Sequence, residues 1–387
     1  RVYIFNYDTF SWELVGTHSS SPSDGLIDSP PTGEVEDYIS PAGFIYVKVI
    51  SDESRLANDF TAIRLTLAEP GQDANACLSA DSFSRVNQAG NATILDDDGK
   101  IKAQNFKVLA EHLSSNGFAV LRYNKRYVSN YSDYDEEKYR TLRGPMLLAD
   151  VKSVLAEMRA HALVDSNRIF IYAASQGTRI VPTLAVSDPS IKGLILQGPV
   201  IHHFRTQHRA EFLPNVIIPY LKEYCGEDEI DAACLLNARQ GSCGGMVRAF
   251  LGFFADFEAE STPVINQELD LNSDGRIGFA NEIQIALENI RTDASRPYAL
   301  KTISELVSDL KTPLLILQGE SDAVISVAMV ESLVDALDES GHQDHALKIY
   351  PKLGHTLGYA ETRIADDMRE IASEPLEDLT AWLNDRT

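Results

Sequence analysis

Short, unbroken apolar runs separated by stretches of helical spacing constrain this chain more than any other feature. Phe118 to Arg122 (FAVLR), Arg168 to Ala173 (RIFIYA), Leu194 to Leu196 (LIL) and Leu314 to Leu317 (LLIL) show almost no polar alternation. A strand with one face in water alternates apolar with polar residues, so runs like these belong to strands covered on both faces. Ile63 to Leu67 and Leu347 to Tyr350 add two further runs. Helical spacing falls between them, at Phe106 to Leu113, Leu147 to His161 and Val327 to Leu337, and a last helix is expected over Ile364 to Leu383. Strands that alternate with helices make parallel βαβ units. The expected core is therefore a mostly parallel, doubly wound α/β sheet, and an apolar content of 44% is ample to fill it.

The rhythm is absent at both flanks of that core. Residues 1–60 read as additional N-terminal strands, over Val2 to Val15 and Phe44 to Ile50, with an irregular Ser-, Pro- and Gly-rich loop at 19–41 between them. Residues 200–310 read as an inserted cap, placed after a core strand where it can cover the strand ends. The expected organisation is a core of residues 1–199 and 311–387 interrupted by this insertion, a size one domain with an insertion accommodates. No run of eighteen apolar residues occurs, so no membrane span is expected. Acidic residues outnumber basic ones by 57 to 34, a formal charge of −23 that repels nucleic acid phosphate and anionic lipid. The chain begins at Arg1 without methionine, as expected of a processed or trimmed N-terminus. Cys77, Cys225, Cys234 and Cys243 match no common zinc spacing. Two disulfides in an exported (secreted or periplasmic) protein is the favoured reading, with three connectivities open; free thiols in a cytoplasmic protein is the alternative.

Three residues stand immediately beyond expected core strands. Ser175 follows Ile169-Phe-Ile-Tyr-Ala-Ala and precedes Gln-Gly-Thr and a helical stretch containing Pro182. A nucleophilic serine at the apex of a strand–turn–helix needs small residues two positions either side, and Ala173 and Gly177 meet that need, with alanine in place of the first glycine of G-x-S-x-G. Asp322 follows Leu314-Leu-Ile-Leu-Gln-Gly-Glu-Ser, and His355 follows Leu347-Lys-Ile-Tyr-Pro-Lys-Leu-Gly. Singly, each has a plain structural explanation: a serine ending a strand, a helix-capping aspartate, a loop histidine. Together, in the order Ser, Asp, His, they form the nucleophile, supporting acid and base of acyl transfer. The backbone N–H of Gln176 is the expected first oxyanion donor.

The segment Leu121-Arg-Tyr-Asn-Lys-Arg resembles the L-R-Y-D-K-R-G of bacterial esterases and dienelactone-hydrolase-like members of the α/β-hydrolase superfamily. Helix 147–161 followed by Asp165-Ser-Asn-Arg-Ile-Phe resembles their approach to the nucleophile, and residues 317–325 resemble their L-x-G-x-x-D-x-x-[VI] acid segment. The resemblance covers residues 61–200 and 311–385; Asn124 departs from the family's aspartate, as Ala173 departs from its glycine. It implies an α/β-hydrolase fold with a helical cap, and no organic cofactor. It also implies a second oxyanion donor after an early strand, where members resemble P-G-S-G. Here Ala68-Glu-Pro-Gly-Gln offers the N–H of Gln72, or forms a plain Pro-Gly turn.

Within the insertion, Asp270-Leu-Asn-Ser-Asp-Gly-Arg-Ile follows an EF-hand calcium loop, with Asp270, Asn272 and Asp274 at positions 1, 3 and 5 and the carbonyl of Arg276 at position 7. Asn281 holds position 12 where a bidentate glutamate is expected, and Glu282 follows it. With a poor entering helix, a one-sided, dockerin-like loop holding structural Ca2+ is expected, against the alternative of a solvated acidic turn. His202, His203 and His208 are read as cleft or surface histidines in preference to metal ligands. The expected function is hydrolysis of a small-molecule carboxylic ester through an acyl-enzyme. The alternatives are a peptidase or thioesterase with the same triad, or a non-catalytic calcium-dependent binding protein on a hydrolase scaffold.

Overall fold

A computed structural model of the chain describes residues 2–6, 11–16, 47–49, 93–95, 101–130, 133–139, 141–161, 164–203, 208–257, 262–283 and 300–386. Two compact units emerge, Arg1–Leu142 with Ala149–Ser166, and Arg143–Leu148 with Asn167–Thr387.

In the first unit, β1 (Val2–Asn6) pairs antiparallel with β2 (Ser11–Gly16) on one side and β3 (Val47–Val49) on the other. This is the strand-rich N-terminus expected from its aromatic and β-branched residues. Two smaller antiparallel pairs follow, β4 (Thr93–Leu95) with β5 (Ile101–Gln104), and β6 (Val128–Asn130) with β7 (Asp133–Tyr134). The helix Asn105–Ser115 buries Leu109, Ala110 and Leu113 and stops where the amides of Gly117 and Phe118 donate back to Ser114 and Leu113 carbonyls. That pair of bonds satisfies carbonyls a helix end otherwise leaves open. Phe118 to Arg122, expected as a buried strand, forms no ladder and is half-buried. Its apolar residues lack a neighbouring strand of the same unit among the described residues, and apolarity alone supplies no hydrogen-bond partner. In the same segment Arg126 grips the Asp150 carboxylate through Nε at 2.9 and 3.1 Å and through Nη2.

The second unit holds a parallel sheet. Its strands are β8 (Phe170–Ala174), β9 (Gly193–Gln197), β14 (Leu314–Gly319) and β15 (His345–Tyr350), in the order β15-β14-β9-β8. Every position of β9 and β14 is buried, which explains why these runs lack alternation. The helix Val181–Ser187, with Pro182 in its first turn, links β8 to β9, and the helix Val327–Glu339 links β14 to β15. Proline is accommodated there because the first helical N–H groups have no partner within the helix. Between β9 and β14 the chain makes its long excursion through short helices and the two-residue strand pairs β10 (Glu229–Ile230) with β13 (Ile277–Gly278) and β11 (Ala255–Asp256) with β12 (Val264–Ile265). Its interior is apolar and aromatic, with Phe212, Leu213, Ile217, Tyr220 and Phe254 almost wholly buried.

One expectation is met in part and one needs correction. One disulfide forms, Cys225–Cys234 with Cα atoms 4.9 Å apart, joining the end of helix Ile218–Cys225 to the start of helix Ala232–Gln240. Cys243 is a buried thiol outside that bridge, and Cys77, which a second bridge would also need, lies outside the described residues. The last helix is Ser373–Asn384, not Ile364 to Leu383. Residues 364–372 fold back on the preceding loop instead: Ala372 N–H donates to Leu357 O, and Thr356 Oγ1 donates to Arg369 O at 2.6 Å. Helical spacing in the sequence is overridden there by loop–loop hydrogen bonds.

Candidate active site

Strand register places the three expected residues at one rim. β8 ends at Ala174, paired with Gln197 of β9; Gln197 itself ends β9 beside Leu317 of β14, and Gly319 ends β14 beside Tyr350 of β15. Ser175, Asp322 and His355 all lie beyond the carboxyl ends of these parallel strands, the rim at which open α/β sheets bind ligands. Ser175 itself adopts φ 49°, a left-handed conformation rare for a side-chain-bearing residue, at the start of the tight turn Ser175–Arg179. Thr178 Oγ1 accepts from Val200 N at 2.8 Å, tying the turn to the segment leaving β9.

Asp322 and His355 meet directly. His355 Nδ1 lies 2.8 Å from Asp322 Oδ2. Asp322 is 0% exposed, and a buried carboxylate is tolerable only when its oxygens are satisfied. Oδ1 accepts from the amides of Val324 and Ile325 at 2.8 and 2.9 Å, and Oδ2 also accepts from Gln318 Nε2 at 3.2 Å. Because an ionised carboxylate only accepts, the imidazole proton sits on Nδ1 and Nε2 is left as the acceptor. Burial pulls the imidazole pKa down, but the charge and hydrogen bond of Asp322, helped by the charge of Asp366, outweigh it, and the net position is above the ordinary histidine value.

Glycines let these parts approach. A Cβ on Gly319 would lie 2.3 Å from Leu353 O and 2.4 Å from Gly354 O, so the glycine of the L-x-G-x-x-D pattern admits the backbone of the base loop. Gly198, at φ 50°, lies so close to the pair that a Cβ would sit 3.1 Å from His355 Nδ1 and 3.2 Å from Asp322 Oδ2. Since Gly198 directly follows β9, the neighbour of β8, the pair is packed beside the strand end that delivers Ser175.

Residues 279–373, a stretch that contains both Asp322 and His355, match the Prolyl oligopeptidase family. That match covers about a quarter of the chain. The parallel sheet with its helical crossovers makes the fold of the second unit α/β. Among solved structures, the chain is similar to a monoacylglycerol lipase of Paleococcus ferrophilus, at 13% identity and TM-score 0.36 over 73% of this chain and 89% of that one. It is similar also to an esterase of Pyrococcus furiosus, at 11% and 0.41 over 73% and 75%, and to a dipeptidyl peptidase 4 of Porphyromonas gingivalis, at 16% and 0.39 over 71% and 28%. No curated protein matches the sequence. Among the described residues, no helix is long and apolar enough to cross a membrane.

Several groups around the site carry no sequence signature. Gln197 Nε2 donates to the His355 carbonyl at 2.8 Å, while its Oε1 accepts from the Tyr172 hydroxyl. Arg363 donates from Nε to Asp322 O at 2.8 Å and from Nη2 to Ala323 O at 3.2 Å, and its Nη1 pairs with Glu211 Oε1 at 2.7 Å. Asp366 accepts the amide of His355. Of the oxyanion candidates, Gln176 is the second residue of the turn that starts at Ser175, and Gln72 lies outside the described residues.

The remaining expected residues make other contacts. His202 Nδ1 is 3.4 Å from Ser304 Oγ, and His203 Nε2 is 3.7 Å from Glu305 Oε2. Burial and the neighbouring His203 lower the pKa of His202. Nothing is described of the His208 side chain.

In the acidic loop, Asp270 Oδ1 and Oδ2 accept the amides of Asp274 and Gly275 at 3.1 and 2.8 Å. Asn272 Oδ1 accepts Asp274 N, and Asp274 Oδ1 accepts Arg276 N. Glu282 reaches in from one residue beyond position 12, with Oε1 accepting Leu271 and Asn272 amides and Oε2 that of Gly278. Ile277 at position 8 is fully buried and pairs, through β13, with β10 and not with a second such loop. Among the described residues, no three His, Cys, Asp or Glu side chains already converge as a ligand set. The donors that turn into this loop are all oxygens, the chemistry that suits Ca2+.

Proposed function

We propose that this protein cleaves small-molecule carboxylic esters through an acyl-enzyme, with Ser175 as nucleophile, His355 as general base and acid, and Asp322 as its supporting carboxylate. The observation that carries the reading is the buried His355–Asp322 bond at the strand rim where β8 delivers a left-handed serine. The imidazole Nε2 takes the Ser175 proton as Oγ attacks the ester carbonyl, and the Gln176 N–H, with that of Gln72, holds the oxyanion. Collapse expels the alcohol, which receives the proton from His355. Water, deprotonated by the same imidazole, then releases the acid and restores Ser175. Asp322 steadies the imidazolium at each stage, and the inserted segment between β9 and β14 selects the acyl or alcohol portion.

A panel of nitrophenyl esters of graded acyl length, assayed beside an aminoacyl amide, tests the substrate class. Turnover of esters with a chain-length optimum is expected, and faster turnover of the amide would replace this reading with a peptidase. The peptidase remains the second reading because the family match spans the acid and base strands.

The raised imidazole predicts the pH profile. Only the neutral imidazole acts as base, so kcat/KM falls on acidification through a pKa above the usual value of about 6.5. A profile whose acidic limb lies below that value would contradict the electrostatic account.

Calcium is assigned to the loop of Asp270, Asn272, Asp274, the Arg276 carbonyl and Glu282, with the structural task of holding the inserted segment. A ligand bound only by the folded state stabilises it in proportion to the logarithm of its saturation. Chelation is therefore expected to lower Tm by a few degrees, and Asp270→Ala with Asp274→Ala to remove that sensitivity; an unchanged Tm on chelation counts against calcium. An exported setting belongs to the same reading, supported by the Cys225–Cys234 disulfide.

A further inference from the structure

Asp366 is 1% exposed and belongs to none of the catalytic roles assigned above. Its Oδ2 accepts two backbone amides, His355 N at 2.7 Å and Ala323 N at 3.1 Å, and Oδ1 accepts Met368 N at 3.2 Å. The first is the amide of the base itself, and the second belongs to the residue directly after the acid. One carboxylate oxygen thus joins the loop after β14 to the loop after β15. The fit is close: a Cβ on Gly354 would lie 2.2 Å from Asp366 Oδ1, so the residue before the base must be glycine for the carboxylate to reach.

The same segment grips the acid loop a second way. Arg363, three residues earlier, donates to the carbonyls of Asp322 and Ala323, so their backbone is held by a cation on its oxygens and an anion on an amide. The segment is fixed from its other side by the inserted region, where Gly244 N donates to Ile364 O at 2.8 Å and Gly245 N to Asp367 Oδ1 at 3.0 Å.

We propose that Asp366 is a positioning residue, a clamp that sets the separation of His355 and Asp322 and adds a second negative charge beside the imidazole. The assignment rests on the triad reading. The charged groups around it are Asp322 on the β14 loop, His355 on the β15 loop, Arg363 and Asp367 on its own segment, and Glu211 of the inserted region through Arg363. Burial and the neighbouring Asp322 charge raise the Asp366 pKa, whereas its three N–H donors favour the anion. An anion there stabilises the imidazolium, so its removal lowers the imidazole pKa.

The test uses the full chain carrying Asp366→Asn, with kcat and KM for a nitrophenyl ester followed against pH. The amide removes the charge and turns an NH2 group toward one of three N–H donors. The expected result is a kcat lower by roughly 10- to 100-fold, as for a small misplacement of catalytic groups, with KM unchanged. The acidic limb of kcat/KM is expected to move to lower pH. A purely structural role would lower Tm and leave that limb in place, which overturns the proposal, as does a folded variant with wild-type kcat. If Asp366→Asn does not fold, Asp366→Glu carries the test: charge is kept and reach altered, so kcat falls while the limb stays, and wild-type kcat overturns the clamp. In the unaltered protein the His355 and Ala323 amides are expected to exchange with deuterium slowly, and rapid exchange of either is equally contrary. Ser175→Ala, run beside these, separates the claims, because retained turnover there removes the triad reading, whereas lost turnover with a wild-type Asp366→Asn profile removes only the clamp.

Discussion

Ser175→Ala is expected to lower kcat by roughly a millionfold, the loss seen when the nucleophile of such a unit is removed alone, while leaving Tm close to that of the parent. The two halves of that result have separate causes. Alanine deletes only Oγ, and the left-handed backbone at φ 49° strains alanine and serine alike, so folding is little affected. Turnover without Oγ has no acyl-enzyme route and retains only what binding and the oxyanion donors provide. Kinetics on the best ester of the panel, with a melting curve on the same sample, check both. Retention of more than about one part in a hundred of kcat, far above the residual expected of such a unit, would place the nucleophile elsewhere.

Asp322→Asn is expected to produce the second largest effect, a fall in kcat of roughly ten-thousandfold with KM little changed. The side chain of Asp322 faces donors only: two amides on Oδ1, and His355 Nδ1 and Gln318 Nε2 on Oδ2. If the asparagine oxygen keeps the Val324 and Ile325 amides, its NH2 meets His355 Nδ1. The imidazole must then accept there and carry its proton on Nε2, where it cannot take one from Ser175. Gln318 Oε1 is buried without a hydrogen-bond partner among the described residues, so a flip of that side chain can offer the new NH2 an acceptor, at the expense of its bonds to Gly319 O and Ile325 O. A stability loss of about 1–3 kcal/mol accompanies the change. Measured kcat within tenfold of the parent would mean that the carboxylate does not set the tautomer.

What the sequence made legible follows from which signals are local. β9 and β14 are buried at every position, so their runs LIL and LLIL announced a sheet covered on both faces. Ser175, Asp322 and His355 could be singled out as candidates because each follows such a run within a few residues, where the parallel arrangement sends every strand end to one rim. Asp366 was not visible. It sits in a stretch whose apolar spacing reads as helix, and only the fold brings its oxygen to amides 11 and 43 positions away. Gln197 carries no sequence pattern that marks it, and its bond to the His355 carbonyl spans 158 positions. The spacing of the four cysteines left three connectivities open because intervals carry no geometry; the turn between two short helices brings Cys225 and Cys234 together. FAVLR shows the converse limit, since an apolar run records burial but names no strand to pair with.

The most direct measurement is the site of a fluorophosphonate adduct, found by mass spectrometry after tryptic digestion. The peptide Ile169–Arg179 contains a single serine, Ser175. The account predicts one adduct, on that residue, formed far more slowly in His355→Ala. An adduct on any other serine, or equal rates in the parent and His355→Ala, would contradict it.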